Sequence, residues 1–440
     1  MNRKKAIAWL YGEMPGLEAA GILSGETSAL LRTHYGPVNV RSNRSLALLL
    51  FSILGAASIG LGIILLLAHN WNGLGRPLRT LLSFVPLMAG QAAVWHTLLR
   101  RPDSAPWREG SAVFLALAVG ACISLVSQTY HIKGDMGAFL LTWLVLGAPL
   151  IYVLNATATA LLYIAGLTCW AAAVQFANGQ ALLFWPLAAF LAPHVWMAQR
   201  GHPGGPRVRL LSWGICAAAP FAVGFVMEKA MPGVWIVVYS ALFCGMFLAG
   251  RGFFGSARFN AFHVAGFAGV AALTLVLTYE GVWRGIGWNH FRSGPDYNSL
   301  AEWQDYLMAL AALSGVALLA VRPFRGKDWL AVASAGLPVL AVLGFTASAM
   351  DAPADVIMGM FNLYALVFGA VTVVTGLERD DLVMVNAGMA MVSMLIILRF
   401  FDADLGFTVR GVLFIVLGFA FLGANLAIVR RAAARRETAS

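Results

Sequence analysis

The sequence predicts an all-α polytopic integral membrane bundle of about 14 transmembrane helices with both termini in the cytoplasm. Three observations predict it. Fourteen apolar stretches with no interior Asp, Glu, Lys or Arg run from Leu46 to Val429, each close to the ~20 residues an α-helix needs to cross a ~30 Å hydrocarbon core. Hydrophobic residues make up 60% of the chain and charged residues 11%, whereas soluble domains carry roughly 25% charged residues. With the N-terminus inside, 22 of the 30 Lys and Arg fall in cytoplasmic segments, the asymmetry expected of a membrane protein. A water-soluble fold is excluded. The net charge of +10 sits in loops and reports orientation, so no nucleic-acid partner is expected.

Residues 1–45 read as a cytoplasmic helical segment. Lys4 to Glu13 is helix-like and Pro15-Gly16 breaks it; Gly25 to His34 forms a second short helix ending at Gly36. Ser24 suits the N-cap of that second helix, and Glu26 complements its dipole. The segment reads either as a hairpin lying on the membrane or bundle end, or as a partner-docking module.

The bundle occupies 46–429, with spans at 46–68, 80–98, 110–127, 136–154, 156–176, 180–197, 210–227, 230–250, 259–279, 306–321, 329–348, 356–376, 383–398 and 411–429. The narrowest break is Asn155 with its small neighbours; merging spans four and five there would invert everything downstream, and the charge distribution argues against it. Residues 430–440 form a basic cytoplasmic tail with Arg430, Arg431, Arg435 and Arg436.

Within the bilayer, helices meet through small residues four apart. Ala116/Gly120/Ser124, Ala265/Gly269 and Ala365/Gly369 are such seams, whereas Leu115 reads as a lipid-facing or flexible neighbour. Prolines 86, 149, 186, 193, 220 and 338 fall inside spans and each removes a backbone donor.

No span carries an intramembrane charge, which disfavours proton relays and ion-coupled carriers. His96, His194 and His263 lie near the cytoplasmic ends and read as satisfied or water-facing. The sequence contains no HExxH, GxSxG or GxxxxGK[ST] motif, and Cys122, Cys169, Cys216 and Cys244 sit in four different spans without metal or disulfide spacing. No catalytic residue, cofactor or metal is therefore expected. Polar groups gather instead at the outer face: Asn70, Gln128, Tyr130, Asp135, Glu280, Arg284, Asp402 and Arg410. They read as an outward-facing binding site or as a structural polar network, with Trp and Tyr as interfacial anchors and Asp135 as an N-cap.

Gly21-Ile-Leu-Ser24 through Leu30-Leu31 and Tyr35-Gly36, then Gly60-Leu-Gly62 leading to Ala68-His-Asn70-Trp71, then Ser127-Gln128-Thr-Tyr130 with Gly134-Asp135, resemble the bacterial membrane family called domain of unknown function 2157. The run from Arg399-Phe-Phe-Asp402 through Arg410-Gly411 to Gly418 and Asn425 is similar to the C-terminal part of its long members. The resemblance implies a bacterial cytoplasmic-membrane protein and supplies no reaction or site residue. The expected role is that of a non-enzymatic envelope component or assembly subunit. The alternative is a transporter or lipid-handling protein without carboxylate ion coupling. The bilayer is the expected partner, and a membrane or extracytoplasmic protein partner stays open.

Overall fold

The computed structural model describes residues 3–36, 73–202, 204–227, 233–252, 260–284 and 300–402, with isolated positions between 408 and 423. Among these residues there are helices and no strands. The chain divides into two compact units, residues 1–81 and 82–440.

The first unit contains α1 (Arg3–Ala19) and α2 (Gly25–Tyr35). Ser24 caps α2 by accepting the Thr27 N–H at 3.2 Å. Gly36 ends it at φ 68°, its N–H bonded to the Arg32 carbonyl. The expected break at Pro15 does not occur, because α1 runs through it. One proline deletes one internal bond, and tertiary contacts offset that loss. Met14 is fully buried, and the Tyr11 hydroxyl donates to the Gly36 carbonyl at 2.8 Å, pinning α1 to the end of α2.

The helix α3 (Arg76–Arg100) crosses from one unit to the next. The second unit continues with α4 (Ala105–Tyr130), α5 (Met136–Gly147), α6 (Pro149–Val153), α7 (Thr157–Phe176), α8 (Phe184–Gly201) and α9 (Pro206–Val226). It proceeds through α10 (Val234–Gly252), α11 (Ala261–Leu277), α12 (Glu280–Arg284), α13 (Leu300–Arg325), α14 (Trp329–Ala349), α15 (Ala354–Glu378) and α16 (Leu382–Asp402). Ten helices in the described residues are long and apolar enough to cross a membrane, with α5 and α6 counted together. A further one, α11, is apolar but shorter, at 17 residues. The span expected at 180–197 appears as α8, shifted toward the C-terminus and not among the ten. Pro193, His194, Gln199 and Arg200 dilute its apolar character. The expected first span, 46–68, and most of the last, 411–429, lie outside the described residues. Asn155 does separate two helices: it adopts φ 49°, a left-handed conformation that Asn tolerates better than most residues.

Among the described residues, the two largest hydrophobic clusters of the second unit join most of its helices. One joins α5 to α9 around Ile151, Ala160, Leu167 and Leu211; the other joins α10 to α16 around Phe247, Phe361 and Phe368. Glycines set the closest approaches. A Cβ added at Gly266 would lie 2.2 Å from the Phe247 nitrogen, and one at Gly388 2.8 Å from the Gly369 carbonyl oxygen. The Gly120 seam meets the Trp143 ring, whose Nε1 donates to the Ala116 carbonyl at 2.7 Å. Leu115 is buried against Gly90, contrary to its expected lipid-facing position. Bulky apolar side chains such as Leu117, Phe221, Leu318 and Leu363 are instead exposed, on surface that only an apolar solvent suits.

Candidate functional site

The site grows from the turn at Asn155. Its successor helix α7 has no side-chain cap of its own. The first amide donors of α7 are satisfied from another helix: the Glu109 carboxylate of α4 accepts Thr157 N–H at 2.8 Å and Ala158 N–H at 2.7 Å. Arg207, at the second position of α9, closes the group. Its Nε donates to Thr157 Oγ1, and its Nη2 donates to both the carbonyl and the side-chain oxygen of Asn155, all at 2.8 Å. One carboxylate and one guanidinium thus fix the ends of α4, α7 and α9 together, as charge-assisted bonds do best.

Two cavities adjoin this network. The more polar of them, about 660 Å³, is lined by Tyr152, Asn155, His194, His202 and Arg207 together with apolar residues such as Met197 and Pro206. An apolar cleft of about 690 Å³ lies between α7, α8 and α9, lined by Leu167, Leu191, Val195, Trp196, Leu211 and Ala219 among others. Both volumes fall in the range of about 300–1,000 Å³ typical of small-molecule sites. Val208 lines both, so the two cavities are neighbours on either side of it.

The cleft owes its walls to α8. Pro193 removes the N–H that would bond the Ala189 carbonyl, and nearby carbonyls of α8 are held by hydroxyls. Tyr163 donates to Leu187 at 3.0 Å, and Tyr152 donates to the Phe190 carbonyl. At the rim the Arg200 guanidinium stacks 3.8 Å from the centre of the exposed Trp196 ring, an arrangement suited to a membrane interface. His194, expected to be satisfied or water-facing, is neither. It is 1% exposed, and its Nε2 has no hydrogen-bond partner among the described residues.

The outer-face residues are distributed differently. Gln128 and Tyr130 occupy the last turn of α4 and are exposed. The Asp135 carboxylate accepts the Ala138 N–H at 2.6 Å and caps α5. Glu280 opens α12, a helix packed on α15 and α11, whereas α4 and α5 pack on each other and on α7. These residues therefore sit in two separate packing groups. Asn70 and Arg410 lie outside the described residues, as do the side chains of Arg284 and Asp402. A charge absent from that set, Arg399, lies 4.9 Å from the Tyr279 ring centre, and its Nη2 reaches Thr278 Oγ1 at 3.4 Å.

Sequence reasoning passed over Glu109, Thr157 and Arg207, and read His194 only as satisfied or water-facing. The available signals were the one-residue break at Asn155 and the run Gly204-Gly205-Pro206-Arg207, which places proline at the first helical position and a cation just behind it.

No curated protein and no solved structure matches this chain. The resemblance carried by Gly21 to Gly36 and by Ser127 to Asp135 does have a counterpart: residues 15–160 match the model of the family described as predicted membrane protein, DUF2157.

Proposed function

We propose that this protein is a non-enzymatic component of the bacterial cytoplasmic membrane that holds a membrane lipid between α7, α8 and α9. In this reading it crosses the bilayer 14 times with both termini inside. Residues 1–45 and 430–440 are cytoplasmic, and 46–429 form the bundle. Contacts between distant segments support the alternation. Glu109, Asn155 and Arg207 meet, and so do Arg251, Asp328 and Arg379; all six belong to segments assigned to the cytoplasm. Arg399 and Thr278 meet at the end assigned to the outside.

The single observation that carries the lipid reading is the cleft of about 690 Å³. Its lining is apolar except for Thr168, Gln199, Ser212 and the Tyr163 hydroxyl, which suits an acyl chain. The membrane supplies that chemistry at high local concentration. The test is lipid retained by protein purified in detergent and washed extensively. About one lipid per chain should stay with the wild type, as expected for a single pocket. Ala219→Trp and Ala188→Trp, which fill the cleft from opposite walls, should lose it, while Leu117→Trp on the exposed face of α4 should not. Equal retention in all four proteins, or none in the wild type, would remove the lipid reading.

A further inference from the structure

We infer that the polar cavity beside Arg207 receives the phosphate of an anionic glycerophospholipid whose acyl chain lies in the adjoining cleft. The inference rests on the lipid reading above and adds the chemistry of the headgroup. Arg207 spends Nε and Nη2 on Thr157 and Asn155, which hold the guanidinium in place while Nη1 has no acceptor among the described residues. The cavity lining contains no Asp or Glu, and the nearby Glu109 carboxylate is committed to two N–H groups of α7. No carboxylate therefore faces Arg207 across the cavity, and the Glu109 charge offsets part of the guanidinium's from outside that lining.

Three further N–H groups belong to residues that line the same space. The 21-residue helix α9 begins at Pro206 with no side-chain cap, so the Arg207 and Val208 N–H groups have no acceptor among the described residues. Both residues line the cavity, and an uncapped helix start favours an anion through its aligned N–H groups and dipole. Independently, His194 lines the cavity with a buried Nε2 that has no partner among the described residues. Buried polar atoms without partners are uncommon in native folds, and a neutral imidazole with its proton on Nε2 supplies one more donor to a phosphate oxygen. A planar cation, helix N–H groups and an imidazole make a set of donors with no built-in acceptor. Val208, common to both cavities, marks the junction of headgroup and chain.

The experiment is native mass spectrometry of the full-length protein, delipidated and then exposed to phosphatidylglycerol or phosphatidylcholine of the same short acyl chains. Inorganic phosphate alone serves as a third arm. The wild type should prefer phosphatidylglycerol by on the order of tenfold, the scale of one or two charge-assisted hydrogen bonds. His194→Phe and Arg207→Gln should each bring that preference close to the phosphatidylcholine level while leaving chain binding in place. His194 Nε2 has no hydrogen bond to lose among the described residues, so its variant decides the matter if Arg207→Gln fails to fold. Equal binding of the two lipids by the wild type, or a preference unchanged in His194→Phe, overturns the headgroup inference and leaves the lipid reading standing. Phosphate bound as tightly as the lipid also overturns it, as an acyl-independent anion site. Binding of neither lipid removes both.

Discussion

Glu109 satisfies two amide groups of a helix other than its own, and the energetic consequence is specific. Glu109→Ala leaves Thr157 and Ala158 without acceptors and should cost about 1–3 kcal/mol, the penalty for orphaned buried donors. Thermal melting in one detergent would register it as a clear drop. His194→Phe should melt at or above the wild-type temperature, because replacing a buried, partnerless polar group with an apolar one of similar shape is neutral or favourable. A stable Glu109→Ala together with a destabilised His194→Phe would contradict the assignment of roles at this turn. The individual residues were visible in the sequence, but their meeting was not. Asn155 read as a loop break, Arg207 as an orientation signal and His194 as an ordinary interfacial histidine. Their partners lie 48 to 52 positions apart or across a cavity, and local pattern carries no information about which helix ends adjoin.

At the level of elements, the apolar runs translated well because hydrocarbon length and backbone satisfaction leave a helix as the only choice. Helices accompany the twelve expected spans from 80–98 to 383–398. The departures have local causes. Pro15 was tolerated because Met14 and Tyr11 anchor the helix around it, and Pro149 divides one expected span into α5 and α6. The seams were legible as small-residue spacings: Gly269, singled out by its spacing, comes within 2.1 Å of the Phe243 ring when a Cβ is added, whereas the close backbone-to-backbone approaches at Gly266 and Gly388 were not singled out. Gly266 and Gly388 make closer backbone approaches than Gly120. Leu substituted at Gly266 or Gly388 should therefore sharply reduce monodisperse protein in size-exclusion chromatography, overpacking costing about 1–3 kcal/mol or more. Leu117→Ala, which trims an exposed side chain, should leave the profile unchanged. Leu115→Ala is a poor control, since Leu115 fills the space against Gly90. Indifference of the profile to both glycine substitutions would show that these helices meet elsewhere.

For the whole molecule, orientation rests on loop charge, because neither a helix nor its packing records which side is inside. Reporter fusions after Ser293 and Ser440 should read outward and inward, respectively; an inward signal at Ser293 would mean a span has been merged or split. The bilayer location was legible from composition, while the cleft was invisible in it. An apolar side chain lining a cavity and one filling a core have the same sequence signature, and only the placement of α8 against α7 and α9 distinguishes them. The most direct measurement is an experimental density map of the purified protein in lipid nanodiscs. We expect an elongated density between Leu167, Leu191 and Leu211 that ends beside Arg207. Close packing of α8 onto α7 and α9, with no density in that space, would contradict the lipid-holding role.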